Sequence, residues 1–279
     1  MKKISRRSFL AAAGLSVAAL ALTACGGSSA STASSVASSA ASSEAASTSA
    51  AAGELTTVEA GKLTMATNAA FPPYEMTTDA GEFEGIDIET AQAIADKLGL
   101  ELQIDDMDFD AALLSVQQGK ADIVMAGVTV TDERKAVMDF SNSYATGIQS
   151  IIVPEGSDIA SPVDLAGKKI GTQRGTTGYI YCSDDFGDEN VVAYDDGLTA
   201  VQALNNGQVD AVVIDNAPAQ EFIAANPGLK ILDTSYAEED YAIGMAKGSS
   251  LEDAVNAALK ELKADGTLQS IVDKYITAE

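Results

Sequence analysis

The chain of 279 residues contains no histidine and no tryptophan, and it has only two cysteines. Without histidine, it lacks the side chain that most often serves as a general base or a metal ligand near neutral pH. The acidic run over residues 105–110 also lacks the glycine and the closing glutamate of an EF-hand loop. We therefore expect no cofactor and no metal site, and catalysis would have to depend on a carboxylate or a lysine.

Basic residues are scarce as well. The chain has 17 lysines and arginines against 41 aspartates and glutamates, which gives a formal charge of −24. Such an acidic surface repels nucleic acid and anionic membranes, so we expect no nucleic-acid partner. Four of the basic residues lie in residues 1–24, and removal of that segment would bring the charge to −28.

The first 24 residues have the pattern of an export signal. Basic residues precede an apolar run over residues 9–24, which is short for a membrane span. The run ends in Thr23-Ala24-Cys25, which resembles the lipobox of bacterial lipoproteins. We therefore expect residues 1–24 to be a signal peptide and Cys25 to carry the lipid. Arg6 and Arg7 resemble a twin-arginine export signal, and the general export route fits equally well.

Residues 25–60 are predicted to link this lipid anchor to the folded part of the chain. Residues 26 to about 52 are almost entirely Ser, Ala and Thr, which cannot bury apolar surface and should form a flexible tether. No later segment is apolar over a length that spans a bilayer. These features predict an extracytoplasmic protein that is held at the cell membrane by its lipid. Cys182, the second cysteine, is expected to be buried and structural.

From residue 61 onward, strand and helix patterns alternate. This alternation predicts an α/β fold with largely parallel sheets, in which ligands bind at the carboxyl ends of the strands. Asp87 is placed to cap the first helix, and residues 68–82, which contain two prolines, are predicted to form a loop. The predicted strands cover residues 63–67, 101–104, 122–126, 148–153, 169–172, 191–194 and 209–214.

Three of the predicted strand ends carry polar groups. They are the loop over residues 126–134, the loop over residues 173–178, and Asp215, which directly follows a buried strand. Arg134 and Arg174 are the only arginines after residue 24, and both lie in these loops. An arginine with helix N–H groups suits a carboxylate, and a buried aspartate suits an ammonium group. Together they match the two charges of a free amino acid.

At these residues the sequence resembles the family 3 periplasmic solute-binding proteins, which bind polar amino acids. The similarity extends over about residues 61–276, and its first half is most similar to glutamine-binding members. Three stretches carry it: residues 66–75 with 85–88, residues 119–144, and residues 175–178.

The resemblance implies a two-lobed periplasmic-binding-protein fold of type II, with a mostly parallel sheet flanked by helices in each lobe. Lobe 1 would comprise residues 61–146 and 242–279, and lobe 2 would comprise residues 147–241. Two hinge crossings, near residues 144–148 and 237–241, would let the lobes close on the ligand. The implied partners are a small amino acid and the permease of an ABC importer, and we expect a monomer.

The resemblance also implies roles for individual residues. Arg134 would bind the ligand carboxylate, assisted by the N–H group and hydroxyl of Thr129 and by the backbone of Thr177. Asp215 and the carbonyl of Gly127 would bind the α-ammonium group. The ligand side chain would lie among Asn68, Phe71, Phe109 and Gln173.

The ligand side chain is expected to be neutral, because Asn68, Gln173 and Ile214 occupy the positions that could recognise a charge and none of them is acidic. Acidic amino acids rank second and basic ones third. Two other functions are open at this point: an enzyme on the same fold, such as a dehydratase, and a module that delivers its ligand to a receptor.

Overall fold

The computed structural model describes residues 55–276. The predicted signal peptide, Cys25 and most of the predicted linker lie outside the described residues. The strands are β1 (Lys62–Thr67), β2 (Ala70–Phe71), β3 (Glu75–Thr77), β4 (Phe83–Glu84), β5 (Glu101–Asp106), β6 (Ile123–Val124), β7 (Met138–Phe140), β8 (Ala145–Pro154), β9 (Ile170–Gln173), β10 (Val191–Tyr194), β11 (Ala211–Asp215), β12 (Leu229–Ile231), β13 (Ala237–Tyr241) and β14 (Gly244–Ala246). The α-helices are α1 (Ile86–Leu98), α2 (Phe109–Gln117), α3 (Asp132–Val137), α4 (Thr177–Phe186), α5 (Gly197–Asn205), α6 (Asn216–Ala225), α7 (Glu252–Ala264) and α8 (Thr267–Tyr275).

The first sheet has the strand order β5-β1-β6-β14-β7. Strand β1 pairs in parallel with β5 and β6, whereas β14 pairs antiparallel with β6 and β7. Alternate residues of β1 enter two different cores, because successive side chains of a strand point to opposite faces. Leu63 and Met65 pack with α1 and α7, and Ala66 packs with Leu113 and Val116 of α2. The first sheet is therefore covered on both faces.

The second sheet has the strand order β10-β9-β11-β8-β12, and β13 also pairs with β8. Strand β11 shows the same alternation: Val212 and Ile214 pack with α5 and α6, and Val213 packs in a separate core with Cys182. Cys182 is fully buried, and burial raises the pKa of its thiol to about 12. At that pKa the thiol is almost entirely protonated at neutral pH, which fits the structural role that we expected.

Two adjacent segments connect the two sheets. The chain leaves the first sheet after β7 and enters β8, and it returns through β13 to β14. Strands β8 and β13 pair antiparallel, with Ala145 opposite Tyr241 and Gln149 opposite Ala237. Gly147 lies against the Tyr241 ring, where a Cβ atom would come within 2.4 Å of the ring. In the second sheet, β8 pairs antiparallel with β11, β12 and β13. Strand β9 pairs in parallel with β10 and β11.

Two local predictions were wrong. Residues 68–82 do not form a simple loop, because β2 and β3 lie within this segment and pair with each other, and β3 pairs with β4. Asp87 does not cap α1: the N-cap residue is Gly85, and the Asp87 carboxylate instead accepts hydrogen bonds from the Gly127 N–H group and the Tyr144 hydroxyl. The first segment pairs locally, within residues 70–84, whereas the partners of Asp87 are distant in sequence and override the local pattern. Within residues 55–276, no helix is both long enough and apolar enough to cross a bilayer.

Candidate ligand-binding site

The structure brings all nine sequence-predicted residues together around one cavity of about 30 Å³. The cavity is formed by groups at the strand ends of both sheets. The predicted lining residues are Asn68, Phe71, Phe109, Gly127, Thr129, Arg134, Gln173, Thr177 and Asp215. Ile214, which the sequence analysis placed beside the ligand side chain, also lines the cavity. The lining residues that the sequence analysis did not place there are Glu75, Ala126, Gln149, Thr176 and Tyr241.

Arg134 is buried at the start of α3, with 8% of its surface exposed. The side chain of Thr131 caps this helix by accepting a hydrogen bond from the Arg134 N–H group. The guanidinium group donates to the carbonyl of Thr129 at 2.8 Å and to that of Gly175 at 3.1 Å, and it lies 5.4 Å from the centre of the Phe109 ring. Arg134 therefore links the loops of the two sheets and keeps a fixed orientation toward the cavity.

Arg174, the other arginine, lies in a different environment. About half of its side chain is exposed, and its guanidinium group is 3.6 Å from the Asp195 carboxylate. It is not among the residues that line the cavity. Of the two arginines in the predicted loops, only Arg134 can therefore contact a bound molecule.

Helix α4 begins at Thr177, beside the cavity. Thr176 is the N-cap residue, and its hydroxyl accepts a hydrogen bond from the Tyr179 N–H group. The first N–H groups of a helix have no partner within the helix, and they favour an anion in front of them. This helix end and Arg134 together give one end of the cavity the character of an anion site.

A buried glutamate lies behind this end of the cavity. Glu239, on β13, has 7% of its surface exposed. Its Oε2 atom accepts hydrogen bonds from the Thr129 hydroxyl at 3.1 Å, the Thr177 hydroxyl at 2.9 Å and the Gln149 amide at 3.0 Å. Burial lowers the pKa of Arg134, and the nearby negative charge of Glu239 acts in the opposite direction. Sequence reasoning missed both Glu239 and Tyr241, which lie two residues apart and so on the same face of β13.

Asp215, at the carboxyl end of β11, also lines the cavity. Its Oδ1 atom accepts from the Ala217 N–H group at 3.0 Å, which caps α6, and its Oδ2 atom accepts from the Ile148 N–H group at 2.8 Å and the Tyr241 hydroxyl at 3.0 Å. Burial raises the pKa of Asp215 to about 6, and the donated hydrogen bonds oppose that rise. The carboxylate is therefore held in place and ionised above about pH 6.

Gly127 sits between two aromatic rings. Its φ angle is +54°, and a Cβ atom at this position would come within 2.9 Å of the Phe71 ring and 3.2 Å of the Tyr241 ring. Both the backbone conformation and the close approach therefore require glycine. The Asp87 carboxylate accepts a hydrogen bond from the Gly127 N–H group at 3.0 Å, which fixes the peptide at the cavity wall.

Asn68 and Gln173 meet across the cavity from opposite sheets. The Gln173 amide donates to the Asn68 side-chain oxygen at 2.8 Å and to the Asp195 carbonyl at 3.3 Å. The Asn68 amide donates to the carbonyl of Met107 at 3.0 Å. These two neutral side chains close the part of the cavity that the resemblance assigns to the ligand side chain.

Residues 63–278 match the model of a protein family described as bacterial extracellular solute-binding proteins, family 3. The L-cystine-binding protein TcyJ of Escherichia coli K12 is 32% identical to this chain over 226 residues, which cover 79% of this chain and 85% of TcyJ. The match therefore covers most of both proteins.

Two solved structures are also similar. The structure of an ancestral arginine-binding protein bound to glutamine has a TM-score of 0.75 and 41% identity, and the match covers 78% of this chain and 99% of that one. The amino acid ABC transporter substrate-binding protein AbpA of Streptococcus pneumoniae, bound to L-arginine, has a TM-score of 0.73 and 37% identity, and the match covers 77% of this chain and 94% of that one.

These matches confirm the predicted two-lobed α/β fold. The relatives are binding proteins of transporters and not enzymes, so the dehydratase alternative is not supported. This chain belongs to the bacterial extracellular solute-binding proteins of family 3.

Proposed function

We propose that this protein binds a free L-amino acid outside the cytoplasm and delivers it to an ABC importer. The observation that carries the proposal is that Arg134 and Asp215, two buried groups of opposite charge from the two sheets, line the same cavity. A free amino acid carries one carboxylate and one ammonium group, and each needs a partner of opposite charge when it leaves water. The similar proteins TcyJ and AbpA are named for cystine and amino-acid binding, which supports the same class of ligand here.

In this proposal, Arg134 binds the α-carboxylate. The guanidinium group is held over the Phe109 ring, and the first turn of α4 directs N–H groups to the same end of the cavity. An arginine can bind both oxygens of a carboxylate in one plane, which a lysine cannot do. The backbone N–H groups of Thr129 and Thr177 complete the site.

Asp215 binds the α-ammonium group, assisted by the carbonyl of Gly127. The three hydrogen bonds that Asp215 accepts hold its carboxylate beside the cavity, so little further ordering is needed when the ligand arrives. Tyr241, which donates one of these bonds, lines the same wall.

The ligand side chain is proposed to be neutral. Asn68, Gln173 and Ile214 all line the cavity and carry no charge. Glu75 also lines it, but burial and the neighbouring Asp87 raise the pKa of Glu75 well above its ordinary value, which favours the uncharged acid. Calorimetry with glutamine, serine, cystine, glutamate and arginine tests this point. Tight binding of arginine alone would contradict the neutral ligand and would assign a charge to Glu75.

Closure of two lobes is proposed to trap the ligand. Lobe 1 comprises residues 61–146 and 242–279, and lobe 2 comprises residues 147–241, so the connections through β8 and β13 act as the hinge. Direct bonds between the two sides, from Gln173 to Asn68 and from Arg134 to Gly175, leave a cavity of about 30 Å³, which holds only about two water molecules. The ligand must therefore enter when these bonds are broken.

The protein is proposed to be a monomer attached to the cell membrane through a lipid on Cys25. Removal of residues 1–24 would leave Cys25 as the first residue, followed by the Ser/Ala-rich linker over residues 25–60. Cys25→Ala should move the protein from the membrane fraction to the soluble fraction, which immunoblotting of fractionated cells measures. Retention of the variant at the wild-type level would contradict a lipid anchor.

Isothermal titration calorimetry of Arg134 variants tests the proposed function. A thermal-shift screen of the amino acids first selects the ligand, because binding to the folded state alone raises the unfolding temperature. Arg134→Ala should weaken binding by about 30-fold or more, since removal of one partner of a buried charge pair costs about 2–5 kcal/mol. Arg134→Lys should also bind weakly, because one ammonium group cannot reproduce the paired geometry.

Arg174→Ala is the matched control. It removes the same charge from the half-exposed arginine outside the cavity, so affinity should stay within about twofold of wild type. Native affinity in Arg134→Lys, or equal losses in the two alanine variants, would refute the proposed role of Arg134.

A further inference from the structure

The Glu239 carboxylate accepts three hydrogen bonds on one oxygen. The donors are the Thr129 hydroxyl, the Thr177 hydroxyl and the Gln149 amide, at 3.1, 2.9 and 3.0 Å from Oε2. All three donor side chains line the cavity, whereas Glu239 lies behind them. They come from three separate parts of the chain, so this one carboxylate orients groups on both sides of the cavity.

A threonine hydroxyl has one proton to donate and two lone pairs that can accept. The proton that Thr129 or Thr177 gives to Glu239 is therefore not available to a ligand. The two hydroxyl oxygens are also 3.4 Å apart, but this contact is longer than either bond to Glu239, and a carboxylate is the stronger acceptor. What remains on each hydroxyl for the cavity is a lone pair.

On the basis of the proposed function, we propose that Glu239 is a positioning residue that takes the hydroxyl protons of Thr129 and Thr177. The α-carboxylate of the ligand is then bound by Arg134 and backbone N–H groups without the hydroxyls, and the two hydroxyls face the cavity as acceptors. This differs from the role that the family resemblance implied for the Thr129 hydroxyl. Glu239 thereby lowers the preference of the site for a carboxylate and favours a ligand that brings its own N–H donors.

Two substitutions separate the charge of Glu239 from its function as an acceptor. Glu239→Leu removes the acceptor and frees both hydroxyl protons. Glu239→Gln keeps one acceptor oxygen, removes the negative charge near Arg134 and replaces the other oxygen with an NH2 group. Glu238→Gln is the matched control, because it removes the same charge from the neighbouring, exposed position on β13.

The measured quantity is the preference for a free acid over its amide, taken as the ratio of their dissociation constants. The probes are L-glutamine with L-glutaminamide and L-arginine with L-argininamide, measured by calorimetry on the full folded protein. Glu239→Leu should raise this preference about tenfold, which is the effect of one additional hydrogen bond to a charged group. Glu239→Gln should raise it by a smaller factor, and Glu238→Gln should leave it unchanged. A preference in Glu239→Leu that does not exceed the preferences of both wild type and Glu239→Gln overturns the proposal.

A neutron structure of the deuterated wild-type protein tests the same point without a variant or a ligand. We expect the deuterium on both hydroxyls to lie between the threonine oxygen and Glu239. A deuterium that points from either hydroxyl into the cavity overturns the proposal. If wild type binds none of the probes, the proposed function fails for those ligands, and the neutron structure still decides the orientation of the hydroxyls.

Discussion

Asp215, at the end of β11, and Glu75, at the start of β3, are two buried carboxyl groups that line the same cavity, but their surroundings differ. Asp215 accepts three hydrogen bonds, from Ala217, Ile148 and Tyr241. Within residues 55–276, neither oxygen of Glu75 has a hydrogen-bond partner, and the side chain is fully buried. Burial raises the pKa of both groups, to about 6 for Asp215 and well above the ordinary value for Glu75.

The difference decides which carboxyl group carries a charge. Donated hydrogen bonds stabilise a carboxylate, whereas burial without donors favours the neutral acid. Asp87 lies beside Glu75, and its negative charge raises the pKa of Glu75 further, whereas the hydrogen bonds from Gly127 and Tyr144 oppose the rise at Asp87. Glu75 can therefore keep its proton, while Asp215 is left to neutralise a bound cation. Proximity to the cavity alone does not make a carboxyl group an ammonium site.

The strongest test of this comparison is Asp215→Asn. Loss of the charge should weaken amino-acid binding by about 30-fold or more, because the buried ammonium group loses its partner. Asparagine is as good an N-cap residue as aspartate, so α6 should remain capped. Calorimetry with the amino acid and with its analogue without the amino group gives the coupling between Asp215 and the ammonium group.

Asp196→Asn is the control for this substitution. Asp196 follows β10 and caps α5 by accepting from the Thr199 N–H group at 2.7 Å, but it is only partly buried and does not line the cavity. This variant should bind the amino acid as wild type does. If Asp215→Asn loses equal affinity for the amino acid and for the deaminated analogue, Asp215 has only a structural role.

The parts of the site that could be predicted are those with a local signal. Arg134, Thr177 and Asp215 follow predicted strands, and Gly127 lies in a loop rich in polar groups. The order of strands and helices therefore predicted the loops that form the site, and the family resemblance implied the roles of the individual residues. Glu239 has no such signal, because β13 has the sequence Ala-Glu-Glu-Asp-Tyr and only its pairing with β8 buries the third residue.

Asp87 illustrates the same limit within a helix. An aspartate near a helix start predicts a cap, and the pattern at residues 85–88 is consistent with that interpretation. In the structure, the partners of Asp87 are Gly127 and Tyr144, which lie 40 and 57 residues away. Long-range partners of this kind cannot be read from local spacing, and they distinguish a buried carboxylate from a capping one.

The smaller effect expected from the comparison is a change in the pH dependence of stability in Glu75→Gln. Below about pH 4.3, Glu75 is protonated in both the folded and the unfolded wild type. At higher pH the unfolded chain releases this proton and the folded protein keeps it. The free energy of unfolding therefore falls as pH rises toward the folded-state pKa of Glu75, by up to about 1.4 kcal/mol per pH unit. Glutamine needs no proton, so Glu75→Gln should gain stability relative to wild type between pH 4 and pH 7, measured by urea unfolding without ligand. The exposed Glu82→Gln should show no such gain. A constant difference between Glu75→Gln and wild type across this range would mean that Glu75 is ionised in the folded protein.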